Sequence, residues 1–457
     1  MVWHTLKLRC PNCRALLEAS PSGQGGDEGP YTVLTCRCQA YPVVAGIPII
    51  RPGRGGHTQK SNAEIVSLIR KGAYQEALQA VLLPPPPPSP ELAPAWLKAL
   101  PSVKGIRALK FQAHRRALAR QRARLWADLL NPNHPLTACE FMDRYYEQAG
   151  ETRRDVHDYF AYRFGQPRHL VALAFASLID QPTGPILELT CGCGHITRGL
   201  VHKAHDQLVV GMDRNFFVLY VAKHWVAPEA VYICGDLDIP LPFSDELFSA
   251  ISCTDGFHYL SQKEDCMREI RRVLQPDGLI LLNVLRNAYI DYAQAGQPLS
   301  PEAYAQLAAD LPHRLVSDAE VLARYIDRQG PALERWVDPA QLKQEPVVSL
   351  VASRREEIFR DYGTFEQWPH ADGPLQLNLL YHAEKDTQTG RISLERTFPS
   401  DYYEQDHAES LYYLPAHETV SATFFDDLKQ SRLTPEIERL IRHCVVLGMP
   451  ANYANEP

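Results

Sequence analysis

Three carboxylates punctuate apolar runs in the middle of the chain: Glu188 in PILELTCGCGHITRGL, Asp213 closing QLVVGMD, and Asp236 directly after AVYICG. An acid at the tip of a buried strand can accept hydrogen bonds from two neighbouring hydroxyls, and adenosine-binding sheets place one roughly 20 residues past their ligand loop. Asp213 follows Glu188 by about 25 residues. Between them, Gly192 and Gly194 let the backbone come close to a ligand, and a helix opening near His195 aims unpaired amides at it. A fourth apolar run, LFSAISC, leads into Asp255, His258 and Tyr259, the groups placed to take a proton; His258 is the leading candidate, with Asp255 and Tyr259 behind it. The competing reading for each is ordinary: a strand-end Asp caps helices or turns, and a lone His is more often structural.

A second set of residues suits a metal. Cys10 and Cys13 lie in LRCPNCRALL, and Cys36 and Cys38 in LTCRCQ. Two thiolate pairs on β-rich flanks fit a tetrahedral zinc site that joins two hairpins and stands in for the core that about 54 residues cannot build. Only one residue separates Cys36 from Cys38, so both sulfurs reach one metal only through a local turn; His4 or His57 is the substitute for Cys38. Otherwise the four are buried thiols packing as small hydrophobes. Cys191 and Cys193 sit in the glycine turn and are not read as ligands.

These residues need elements to hold them. Apolar runs ending at Leu189, Asp213, Gly235, Cys253 and Leu285 alternate with helix-compatible stretches such as KEDCMREIRRVL, the pattern of an open α/β sheet whose carboxyl edge binds ligands. LELTCGCG, VVGMDRN, GDLDIPLPFSDELFSAISC and REIRRVLQPDGLILL resemble the successive motifs of class I S-adenosylmethionine-dependent methyltransferases, especially the quinone-biosynthesis branch, over about residues 185–286. The resemblance implies a doubly wound, Rossmann-like sheet of seven strands. It implies Glu188 near the methionine end of the cofactor, Thr190, Cys191, Gly192 and Gly194 under the carboxypropyl group, Asp213 and Arg214 at the ribose, and Asp236 and Leu237 at the adenine, with Cys253 closing the set. The family's first loop glycine is Thr190 here, a departure that demands a shifted backbone.

The segment ending YPVVAGIPII is similar to the small zinc ribbons that accompany methyltransferases or are fused ahead of them. That likeness, and the proline run at Pro84 to Pro88, each offer a place for a protein partner; a single proline tract is more often a stiff spacer. The expected divisions are a ribbon at 1–54, a helical linker at 55–140, a cofactor-binding core at 141–290, a helical insert at 291–345 that would cover the acceptor, and strands and a helix at 346–457 completing the catalytic domain. Within these, Ser61 and Glu64 have capping-box spacing, Ser300 and Ser317 head helices, the run 375–398 reads as a hairpin supplying the last antiparallel strands, and a helix from Pro435 should stop at Gly448. Tyr145, Tyr146, Tyr159 and Tyr162 precede the first strand, where they could surround a sulfonium.

Composition narrows the classes. A chain of 457 residues with 45% apolar content supports two or three folded units, and its start lacks a signal peptide while no run is long enough to cross a membrane, which leads us to expect a cytoplasmic protein. Eleven cysteines without a disulfide framework fit a reducing compartment. No acid interrupts residues 92–127, which carry nine Lys and Arg including Lys98, Arg116 and Arg124; Ile106, Leu109, Ala113, Ala117 and Leu118 would bury the other side of that helix. With a net charge of −7, a solvated face is favoured over an RNA-binding one. The expected activity is methyl transfer from S-adenosylmethionine to a small-molecule oxygen, carbon or nitrogen. A ribosomal-RNA-type methyltransferase using ribbon and basic segment is the alternative, and a non-catalytic cofactor-binding scaffold is the third reading. The NPPY-type motif of amino-directed nucleic-acid enzymes is absent.

Overall fold

The computed structural model describes residues 3–20, 29–51, 60–83, 93–101, 103–129, 131, 133, 135–149, 154–291 and 296–455; the Pro84 to Pro88 tract and His57 fall outside them. Eleven strands form one sheet: β1 (Glu18–Ser20), β2 (Thr32–Thr35), β3 (Ala40–Val44), β4 (Ile47–Ile50), β5 (Ile186–Leu189), β6 (Val209–Asp213), β7 (Val231–Gly235), β8 (Phe248–Thr254), β9 (Leu274–Arg286), β10 (His313–Ser317) and β11 (Val347–Ser353). Their spatial order is β1-β2-β3-β4-β7-β6-β5-β8-β9-β11-β10. Neighbours from β4 to β9 run parallel, and β11 and β10 close one edge antiparallel. The seven-stranded α/β sheet expected from the sequence is β5 to β11, and the N-terminal meander β1 to β4 continues it beyond β7.

Successive residues of the central strands feed opposite cores. Ile186, Val209, Cys234 and Leu281 pack on one side, with the helices Pro167–Ala176 and His195–Lys203; Leu187, Val210, Ile233 and Leu282 pack on the other, with the helix Lys263–Val273. Each side chain so buried contributes about 1.5–3 kcal/mol, so strands apolar on both faces outcompete any local preference. Polar groups are driven to the strand tips. The chain runs outward from β5 through β6 to β7 and returns to the other side of β5 as β8, which puts the topological switch between the tips of β5 and β8.

Several expectations need correction. The hairpin forms at Tyr381–Lys385 and Ile392–Arg396, but it pairs with His417–Val420 in a separate sheet. Only one of its faces is apolar, with Tyr381, Ile392 and Leu394 buried, whereas β11 is buried at every position but its first, and a central place requires two apolar faces. Helices do start after Ser300 and Ser317, each capped by that serine, yet strand β10 lies between them. Pairing of β10 with β11 draws both helices to the sheet edge, the second against Pro167–Ala176, so the described part of this insert lines none of the cleft described below.

The capping box of Ser61 and Glu64 opens the helix Asn62–Arg70. The basic helix Lys104–Leu129 buries Lys110, His114, Leu118 and Leu125, while Leu109, expected inside, is exposed. Arg107, Arg115, Arg116, Arg120 and Arg124 are exposed, as a solvated face requires. The last helix ends at Arg442, where Cys444 takes a left-handed conformation (φ 53°) and stops it earlier than Gly448. Gly448 instead closes a strand, Val446–Gly448, paired to Leu375–Leu377. Among the described residues, no helix is long and apolar enough to cross a membrane.

Candidate active site

The loop after β5 is built from residues in left-handed backbone: Thr190 (φ 55°), Gly192 (φ 52°) and Gly194 (φ 80°), the last capping the helix His195–Lys203. A β-branched residue resists that conformation, so Thr190 must be held there. Its hydroxyl donates to the Leu189 carbonyl (2.6 Å) and touches Cys253 Sγ (3.4 Å). Its side chain fills the space above Gly256, where a Cβ would lie 2.1 Å from Thr190 Oγ1 and 2.6 Å from Thr190 Cβ. The missing family glycine is therefore matched by a glycine across the sheet, between the tips of β5 and β8.

A side chain at Gly192 would be strained by the left-handed backbone and would have to displace the Phe160 ring, 2.9 Å from a Cβ there. The Gly192 amide donates to Asp213 Oδ2 (3.1 Å), and the Asn215 amide donates to Oδ1 (2.8 Å). Burial pushes the Asp213 carboxyl up, against the pull of these amides. Asp236, at the tip of β7, accepts from the Asp238 amide (3.2 Å) in a tight turn that leaves Leu237 beside it. Glu188 is buried and accepts from the Thr197 hydroxyl; burial pushes its carboxyl up to about 8, with the Thr197 bond opposing. Cys191 and Cys193 are buried thiols, and their own burial raises both well above the usual range.

A cleft of about 890 Å³ runs over these tips. Glu188, Thr190, Cys191, Gly192, Asp213, Arg214, Asp236 and Leu237 line it, whereas Gly194 and Cys253, expected in the same set, do not. Its far end gathers Tyr159, Arg163, Arg168, Asp255, Tyr259 and Arg286, and its outer wall is the segment Ser400, Tyr402, Tyr403, Asp406 and His407. Asp255 is itself left-handed (φ 54°). Tyr159 donates to its Oδ2 (2.8 Å), Arg168 and Arg163 stand 3.6 and 3.7 Å away, and Oδ1 has no hydrogen-bond partner among the described residues. Burial alone would raise Asp255, but the two guanidiniums, Arg168 foremost, outweigh it and hold the carboxyl below its usual range. Arg168 also makes a two-pronged pair with Asp406 (3.0 and 3.1 Å), tying the C-terminal wall to the core.

Of the proton-moving candidates, Asp255 and Tyr259 line the cleft and His258 does not. His258 is fully buried behind Tyr259, their rings 4.2 Å apart, and burial pushes it down to about 4, so it is neutral. Among the tyrosines, Tyr159 reaches the cleft; Tyr145 and Tyr146 pack on Phe217, and Tyr162 against Tyr403. The sequence reading missed Arg163, Arg168, Arg286 and Asp406. Arg286 was within reach of the strand-tip rule, since it ends β9. Nothing local in RFGQPRH marks Arg163 and Arg168 as partners of an acid some 90 residues away.

The four N-terminal cysteines come together, all sulfurs within 4.8 Å of one another. Cys10 to Cys38, Cys36 to Cys38 and Cys13 to Cys36 are 3.5, 3.4 and 3.7 Å, close to the roughly 3.8 Å that metal–sulfur bonds of about 2.3 Å impose in a tetrahedron. The chain bends at residues 37–38, which supplies the local turn that the short spacing requires. His4 is not in the group. The donor set could hold a metal ion.

The profile of a family described as "Methyltransferase domain" matches residues 187–282. Demethylmenaquinone methyltransferase of Mycobacterium bovis is 32% identical over 187 residues, covering 38% of this chain and 76% of that protein. The protein of the same name from Corynebacterium kroppenstedtii is 29% identical over 168 residues, or 34% and 70%. Among solved structures, one titled as a complex between the Haloferax volcanii Trm112 methyltransferase activator and a methyltransferase aligns at 16% identity with a TM-score of 0.33, covering 45% of this chain and 97% of that one.

The Thr190–Gly256 pairing makes a testable demand. Gly256→Ala should cost about 1–3 kcal/mol in urea unfolding by overpacking, and adding Thr190→Gly should recover most of that loss. Purely additive effects of the two substitutions would contradict the match.

Proposed function

We propose how a chain that belongs to the methyltransferase-domain family, and is an S-adenosylmethionine-dependent methyltransferase, divides its cleft between cofactor and acceptor. Glu188 and the 190–194 loop would hold the methionine end, Asp213 and Arg214 the ribose, and Asp236 and Leu237 the adenine. The fit rests on Gly192, whose left-handed backbone disfavours a side chain, and on the Asp213 carboxylate at the cleft wall with lone pairs left over after two amides. When bound, S-adenosylmethionine supplies a methyl group on a positively charged sulfur. The protein's task is then to bring the acceptor atom into line and exclude water.

The acceptor is a small molecule carrying an acidic hydroxyl or an acidic carbon. The observation that carries this reading is the far end of the cleft, lined by Arg163, Arg168 and Arg286 with the carboxylates Asp255 and Asp406, where Arg168 and Arg163 stand 3.6 and 3.7 Å from Asp255. A carboxylate held below its usual range is a weak base, so it takes a proton only from an acceptor that gives one up readily. The guanidiniums favour the anion that remains. Asp255 Oδ1 would accept the acceptor's proton or hydrogen bond, Tyr159 and the arginines fix Asp255, and Tyr259 and Tyr402 flank the entrance. His258 would act only through its packing on Tyr259. The exposed arginines of the Lys104–Leu129 helix contribute nothing to the cleft lining, which leaves the RNA reading without support there. The cysteine cluster is proposed as a structural zinc site for the N-terminal module.

Calorimetry with S-adenosylhomocysteine tests the cofactor half. Asp213→Ala should lose roughly 3 kcal/mol, a factor of about 100, because a charged acceptor and a loop anchor go together; unchanged affinity would refute the ribose assignment. Glu188 gives the pH dependence its sign. Its carboxyl sits near 8, so it is largely protonated at neutral pH, and a cationic amino-acid group binding there favours the ionised form. Affinity for S-adenosylmethionine should therefore rise with pH up to about 8, by at most tenfold per unit, with a proton released on binding; Glu188→Gln should flatten the profile. A profile equally steep in that variant would move the titration elsewhere.

For the acceptor, methyl-labelled cofactor should mark the small-molecule fraction of a cell extract, and label confined to RNA would overturn the reading. For the metal, purified protein should hold one zinc per chain, and its chelation should lower the melting temperature. A metal-free protein of equal stability would leave the four cysteines as plain thiols.

A further inference from the structure

The contacts of the N-terminal module converge on one part of the catalytic sheet. β4 extends the parallel sheet past β7, with Ile49 opposite Cys234 and Ile50 opposite Gly235, the residue before Asp236. Directly after β4, Arg51 is 5% exposed, and its Nη1 donates to the Arg214 carbonyl, one residue beyond Asp213. Asn62 Nδ2 holds Arg51 from the other side through the Arg51 carbonyl (2.8 Å). Two further bonds reach the loop that follows Leu237: the Arg9 amide to the Pro242 carbonyl (2.9 Å) and Arg14 Nη1 to the Leu241 carbonyl (3.1 Å).

We infer that the N-terminal module braces the nucleoside end of the cofactor site and that Arg51 is the positioning residue that sets the Asp213–Arg214 turn. The inference rests on the cofactor assignment made above. Without β4, β7 would be an open sheet edge, and the Arg214 carbonyl would keep only the long contact from Cys234 Sγ (3.5 Å). A turn that must be ordered on binding weakens affinity, whereas one already ordered does not. Among the described residues the guanidinium is buried for a single carbonyl of that turn and its Nε has no partner, an arrangement that stability alone does not favour. Arg51 reaches no atom of the acceptor end, so its effect falls on cofactor binding and leaves the chemical step alone.

Three proteins decide it: the full-length wild type, Arg51→Met, which keeps the apolar stem and loses the donor, and Arg51→Lys, which restores a charged donor. S-adenosylhomocysteine should bind Arg51→Met about fivefold or more weakly, with zinc content and melting temperature unchanged; Arg51→Lys should recover to within about twofold of wild type. In turnover, the cofactor KM should rise in Arg51→Met while kcat stays near wild type. Should Arg51→Met not fold, Asn62→Ala carries the test with a smaller loss in the same direction. Unchanged affinity in whichever of the two is folded overturns the assignment. A wild type that does not bind the nucleoside at all would overturn the cofactor reading beneath it, an outcome the variants by themselves cannot produce.

Discussion

The bond from the Gly192 amide to Asp213 Oδ2 joins the two strand tips on which the cofactor end of the cleft depends. It links the loop after β5 to the end of β6, so neither can move without breaking a charge-assisted hydrogen bond in a buried setting. Its geometry needs a backbone that only glycine adopts without strain, beside the Phe160 ring, which a larger residue would have to displace. Strand burial explains why such chemistry gathers there: with both faces of β5, β6 and β8 inside apolar cores, the first place a carboxylate can be solvated or hydrogen-bonded is the strand end.

The acceptor end is held by a different device, a buried chain of charges. Arg168 faces Asp255 on β8's trailing loop and Asp406 on the C-terminal wall, so segments far apart in sequence meet on one guanidinium. Buried pairs of this kind contribute little net stability, but removing one partner leaves the other charged and desolvated, at a cost of about 3–5 kcal/mol. That asymmetry suits a site whose wall must sit in one place. It also makes Asp255 a carboxylate kept ionised, a group that orients and stabilises rather than one that pulls protons from weak acids.

Glu188 and Asp255 illustrate how position separates two like groups. Both are buried carboxyls lining one cleft, yet burial dominates at Glu188, where the nearest hydrogen bond comes from a neutral hydroxyl, and two arginines dominate at Asp255. One is pushed up and the other held down. At neutral pH the methionine end thus keeps a proton to exchange, and the acceptor end keeps a fixed negative charge among positive ones.

The sequence by itself determined the strands from Ile186 to Leu285, the glycine turn, the acids at the strand tips and the two cysteine pairs, because each is written locally: apolar runs buried on both faces, residues allowed at positive φ, ligands at short spacing. Helix starts at Ser61, Ser300 and Ser317 were legible for the same reason, since a cap is a contact within four residues. Tertiary structure alone decided what lies across the sheet. That Thr190 needs Gly256, that β4 pairs with β7, that the hairpin at 381–396 leaves the main sheet, and that Ser400 to His407 rather than the 300s insert walls the cleft are all contacts between distant segments. Whether a half-apolar strand or helix lies at the centre or the surface is set by which partner it finds, and a lone arginine in a loop carries no mark of the carboxylate it will meet. The charges that complete the site were invisible for that reason: their energy resides in a pairing that exists only once the chain has folded.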